Sequence, residues 1–138
     1  MIRLVIDPAD MAAINAAAAA AWPLEACGLL VGTRADDSIR VQSVIVTENI
    51  ARDPERRFEV EPRALLSAHR EARTAGQELL GPWHSHPDGP ARPSATDSVR
   101  AVSAGEVWLI VPVAGGQAGA ARAWLFDGGA FAEIVLET

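Results

Sequence analysis

Residues 79–97 read Leu79-Leu80-Gly81-Pro82-Trp83-His84-Ser85-His86-Pro87 and, past Asp88-Gly89-Pro90-Ala91-Arg92-Pro93, Ser94-Ala95-Thr96-Asp97. The stretch from Leu79 to His86 has the apolar character of a strand. The prolines after it force a loop, and Ser94 with an acid three residues on opens a helix that we place over Ser94–Ala104. On an extended backbone, residues two apart project to one side, so His84 and His86 can aim both imidazoles at one point. Imidazole nitrogen binds zinc at about 2.0–2.1 Å and carboxylate oxygen at a similar distance. Asp97 can return from the first turn of the next helix as third ligand, leaving a fourth position for water, as in a catalytic zinc site. Ser94 and Asp97 also approximate a capping box. For that pair alone capping is the stronger reading, but a cap and a site are compatible because a helix start holds both side chains still. Chance gives H-x-H-x7-S-x2-D in a chain of this composition at about two in ten thousand, so the combination favours a site.

Working outward, Val107–Val111, Ala120–Phe126 and Phe131–Leu136 read as three closing strands. Upstream, Arg3–Ile6 is a short strand, Gly28–Gly32 a buried apolar run, and Ile39–Thr47 a half-exposed strand. Glu48–Arg57 is a polar loop, Phe58–Val60 a brief strand, and Pro62 opens a helix ended by Gly76. The fold class is α/β (α+β): a single mixed, largely antiparallel sheet flanked by helices. With 138 residues and no repeat or linker, residues 1–138 make one domain. Trp22, Trp83, Trp108 and Trp124 lie in or beside apolar segments and are read as core.

Composition narrows the function. A net charge of −6 argues against a nucleic-acid partner, which needs a basic face, and against docking on an anionic membrane. All 12 cationic residues are arginine, so Schiff-base chemistry and a phosphate-loop lysine are excluded. The one cysteine, Cys27, cannot form an internal disulfide. Met11–Ala21 resembles the apolar part of a signal peptide, but Asp7, Pro8 and Asp10 stand where that part should begin. We read a helix instead, capped by Asp7, with Pro8 in its first position and Pro23 ending it. No run reaches about 18 apolar residues. A soluble, cytoplasmic protein is expected.

The segment H-S-H-P-x6-S-x2-D resembles the signature of the JAMM metalloproteases, the MPN-plus domain. Pro23-Leu24-Glu25-Ala26-Cys27-Gly28-Leu29-Leu30-Val31-Gly32 is similar to that family's other block, which carries its glutamate. The resemblance runs from about Ile2 to Val113 and implies the JAMM/MPN fold, of cytidine-deaminase-like type. It implies that His84, His86 and Asp97 bind one zinc ion, that Glu25 is the general acid/base, and that Ser94 stabilises the oxyanion. The chemistry is coherent, since zinc brings the pKa of water toward roughly 7 and a carboxylate can pass the proton on to a departing amine.

The same resemblance implies a peptidase or isopeptidase cutting after the C-terminal Gly-Gly of ubiquitin-like proteins. The small prokaryotic members point to processing of a sulfur-carrier protein slightly ahead of general removal of ubiquitin-like modifiers. A glycine tail suits a narrow cleft, and Phe58–Val60 is the expected sheet edge for strand addition. The rival reading is a non-catalytic MPN scaffold, which usually lacks the metal ligands present here. A zinc nucleobase deaminase would need P-C-x-x-C, and one cysteine eliminates it.

Overall fold

Apolar runs become eight strands: β1 (Arg3–Val5), β2 (Cys27–Ala35), β3 (Ser38–Thr47), β4 (Glu78–Pro87), β5 (Val107–Ala114), β6 (Gln117–Ala118), β7 (Arg122–Phe126) and β8 (Phe131–Glu137). Three helices lie between them: α1 (Pro8–Ala21), α2 (Pro62–Thr74) and α3 (Ala95–Arg100). The computed structural model describes residues 1–138. All strands join one sheet in the order β4-β2-β3-β1-β8-β7-β5-β6. Five of its eight pairings are antiparallel, so the sheet is mixed and largely antiparallel as expected.

Its closure was not expected. β4 pairs with β2 along Glu78–His84 and, in parallel, with β5 along Trp83–Pro87. One strand thus serves two neighbours with its two ends, and the sheet curls into a barrel-like form instead of lying flat between helices. A bulge makes the bend: Leu30 pairs with Gly81 but Val31 with Leu79. Gly81 sits there at φ +156°, and a Cβ would collide with the carbonyl of Val107. Only glycine lets β5 approach so closely.

The core is lined by Leu4, Ile6, Leu30, Trp83, Leu109 and Val111. Helix α1 adds Met11, Ile14 and Ala18, spaced to form one stripe, and its alanines let it pack closely. It lies against β3, β5 and β6, whereas α2 buries Ala68 and Ala72 and lies against β2 and β4. Pro8 occupies the first position of α1 as read from sequence, but the Asp7 side chain makes no capping bond. Glu61 caps α2 by accepting from the Ala64 amide at 3.0 Å.

Three further expectations are corrected. Helix α3 stops at Arg100, not Ala104, because the chain must enter β5: Ala101 is extended, and the Gly105 amide donates to Phe126 O at 2.7 Å. Phe58–Val60 is not a strand. Only Val60 bridges, to Asn49, while Phe58 is buried. Trp22 is 36% exposed, its indole donating to Asp88 at 3.2 Å, because Pro23 turns the chain away from the helix stripe. No helix is long and apolar enough to cross a membrane.

Candidate metal centre

His84 and His86 stand two apart in the half of β4 that pairs with β5, and both are buried. Their Nε2 atoms are 3.0 Å apart. Asp97, at the third position of α3, brings Oδ2 to 3.2 Å from His84 Nε2 and 3.1 Å from His86 Nε2. The carboxylate is aimed by its own helix end, because the Ser94 amide donates to the same Oδ2 at 2.9 Å. In return Ser94 Oγ accepts from the Asp97 amide at 3.1 Å, completing a capping box. Ser94 therefore caps, yet its hydroxyl proton is not used by that bond.

The protonation pattern shows what the triangle can hold. His86 Nδ1 donates to the Pro90 carbonyl at 2.7 Å, which leaves Nε2 of the neutral ring as an acceptor. A second imidazole and a carboxylate oxygen converge on the same point, and such a gathering of lone pairs calls for a cation. Tetrahedral zinc with 2.0–2.1 Å bonds would set its ligand atoms ~3.3 Å apart, close to the spacing of these three. The donor set and its dimensions fit a small divalent ion.

Glu25 lies just before β2, is only 5% exposed, and leaves Oε1 without a hydrogen-bond partner. With His84 and His86 it forms a group whose donor atoms all lie within 4.8 Å of one another. Burial, opposed by His86 and reinforced by Asp97, pushes its carboxyl up to about 8. Asp97 goes the other way: burial resists its ionisation, but the His84 and His86 rings and the Ser94 amide around it prevail and hold it well below the usual carboxylate range. Burial lowers the pKa of His84 against the pull of Asp97. In His86 burial also works against the charged ring, but bonds to Asp97 and Pro90 outweigh it and raise the pKa. Two carboxyls with opposed tendencies thus face one histidine pair, a pattern that separates a proton carrier from a fixed charge.

Aromatic rings hold His84 where hydrogen bonds do not. Its Nδ1 has no partner, but Phe58 stacks on the ring at 4.4 Å and Trp108 meets it edge-on at 5.4 Å. Cys27 packs with Phe58 and Trp108, and its thiol contacts Thr47 and Glu48, outside the donor triangle. His69 is exposed on α2. Sequence reasoning passed over Ser85: its buried Oγ accepts from the Ala26 amide at 2.8 Å, and its own amide donates to Ala26 O at 3.0 Å. That exchange ties Glu25's neighbour to the strand carrying both histidines. Ser85's place between the two histidines was the only signal, and it did not name the partner.

A closed mixed sheet with two histidines, an aspartate at a helix start and a buried glutamate defines a class, and sequence comparison agrees. Residues 8–127 match the family model described as prokaryotic homologs of the JAB domain. The chain belongs to the prokaryotic JAB (JAMM/MPN) family. It is 34% identical over 111 residues to a desampylase of Haloferax volcanii, spanning 79% of this chain and 78% of that protein. It is 39% identical over 75 residues to a probable TtuB-protein conjugate cleaving protease of Thermus thermophilus, spanning 54% of this chain and 47% of that one. The crystal structure of a JAB1/MPN domain protein from Archaeoglobus fulgidus superposes with a TM-score of 0.57 at 19% identity, covering 100% of this chain and 98% of the other.

Proposed function

We propose that this protein is a zinc-dependent peptidase or isopeptidase that releases ubiquitin-like proteins at their C-terminal Gly-Gly, acting as a single domain. The observation carrying this reading is the triangle of His84, His86 and Asp97 donor atoms, 3.0–3.2 Å on each side, with the buried Glu25 carboxyl beside it. The names of two relatives, a desampylase and a protease of TtuB-protein conjugates, favour removal of a ubiquitin-like modifier from a conjugate over processing of a sulfur-carrier precursor.

His84, His86 and Asp97 would hold the ion. When bound, it supplies Lewis acidity that polarises a carbonyl and eases loss of a proton from water. Glu25 accepts that proton and returns it to the departing amine. A buried carboxyl beside the ligand triangle is placed to do both. Ser94 directs its free hydroxyl proton at the developing oxyanion while its oxygen caps α3. His86 keeps Nε2 bare because Pro90 takes the proton on Nδ1.

The test is incubation of the zinc-loaded chain with ubiquitin-like proteins carrying a C-terminal extension or an isopeptide-linked partner, followed by mass spectrometry. Cleavage directly after Gly-Gly that stops with chelator or in Glu25→Gln is the expected result. Cleavage that survives chelation, or none on any such substrate, overturns the proposal; no hydrolysis together with no bound zinc would point to a scaffold.

A further inference from the structure

Glu25 has no anchoring bond on its free carboxylate oxygen and belongs to no strand ladder, so its aim depends on how its backbone is held. One side chain does much of this. Asn49, just past β3, donates from Nδ2 to the carbonyl of Glu25 at 2.9 Å and to that of Arg57 at 3.0 Å. Its Oδ1 accepts from the amides of Ala51 at 3.1 Å and Glu59 at 3.0 Å. A carboxamide has two donors and two acceptor lone pairs, and all four are used.

The partners define what is fastened. Arg57 and Glu59 flank Phe58, the ring stacked on His84. The Glu25 amide donates to Pro54 O at 2.7 Å, within the same loop. The loop therefore grips Glu25 by both backbone groups, and through Asn49 the same residue fixes the segment that seats the His84 ring. Ser85 makes the other side-chain tie between the two halves, through the Ala26 amide.

We infer that Asn49 is a positioning residue: it sets the placement of the Glu25 carboxyl relative to the His84–His86–Asp97 triangle. This rests on the peptidase reading above. Aspartate in its place keeps the shape but turns an oxygen toward the carbonyls of Glu25 and Arg57, and alanine removes all four bonds.

The experiment compares wild type, Asn49→Asp and Asn49→Ala at saturating zinc on a ubiquitin-like conjugate, with metal content and amide hydrogen exchange measured on the same samples. We expect kcat to fall about tenfold to a hundredfold, as misplacement of a reacting group does. KM should stay within about twofold, with one zinc still bound, because Asn49 touches neither a donor atom nor the Ser94 hydroxyl. Exchange at the Ala51, Glu59 and Glu25 amides should quicken about tenfold or more while Leu109 and Val111 in β5 remain as in wild type. Unchanged kcat with faster exchange at Glu59 would reduce Asn49 to a structural loop residue and overturn the inference. So would protection lost evenly over the whole barrel. If the alanine chain does not fold, the isosteric aspartate variant decides alone. Failure of the zinc-loaded wild type to cut any conjugate is a different result: it sinks the peptidase reading, and this inference with it, before any variant is compared.

Discussion

Glu25 and Asp97 are both buried acids beside the same two histidines, yet one is pushed toward the neutral form and the other held charged. The difference lies in hydrogen bonds: Asp97 Oδ2 faces His84, His86 and the Ser94 amide, whereas Glu25 Oε1 faces none. This separates their variants. Asp97→Asn should lose zinc, while Glu25→Gln should keep one equivalent and lose hydrolysis; metal analysis checks both. A pH effect follows for metal-stripped protein. The folded-state pKa of Glu25, about 8, lies above the ordinary glutamate value of 4.5, so between these the folded chain holds a proton that the unfolded chain has released. Glu25 therefore costs stability progressively as pH rises from about 4.5 to 8. Thermal melts should show Glu25→Gln gaining on wild type across that window, and parallel curves would refute the burial argument. Ser94→Ala should lower kcat about a hundredfold with metal retained, and stability by about 1 kcal/mol through the lost cap. A stability loss alone would leave Ser94 only its capping role. The spacing of the two histidines was legible at this scale. Ser85 was not, because its partner, Ala26, is 59 positions away.

At the scale of elements, β4 carries most of the consequence. Its histidine end pairs with β5 and its glutamate end with β2, Trp83 and His84 pair with both, and the bulge at Leu80 lies within the stretch paired to β2. Gly81→Ala should therefore cost several kcal/mol, since it sets a Cβ against the Val107 backbone at a φ that side chains rarely adopt. A urea midpoint close to wild type would show that the bend does not need glycine. Apart from residues 58–60, the long strands and α1 were readable because apolar runs and a proline at a helix start act locally. The length of α3 was not. Val99 and Val102 are 84% and 80% exposed, so no apolar stripe extends the helix, and the Gly105–Phe126 bond to the end of β7 draws the chain into β5.

For the whole molecule, closure places the site between segments distant in sequence: the stretch before β2, the histidine end of β4 and the first turn of α3. An ion held between the last two would favour the folded chain, because unfolding disperses its ligands. Zinc should raise the melting temperature, with the gain growing with free zinc and reaching ~2.7 kcal/mol at a hundred times its dissociation constant. The shift should vanish in His84→Ala and persist in Glu25→Gln; persistence in His84→Ala would remove that residue from the ligand set. By itself the sequence determined the mixed sheet, the pairing of His84 with His86 on one face, and the return of Asp97 at a helix start. Each depends on backbone periodicity or a cap acting over a few residues. Only the tertiary structure decided that the sheet closes, that Phe58 turns inward onto His84, and that Ser85 and Asn49 fasten the segment bearing Glu25. Those outcomes depend on which strand and loop meet across the barrel, and hydrophobic alternation specifies a face without specifying the partner that covers it.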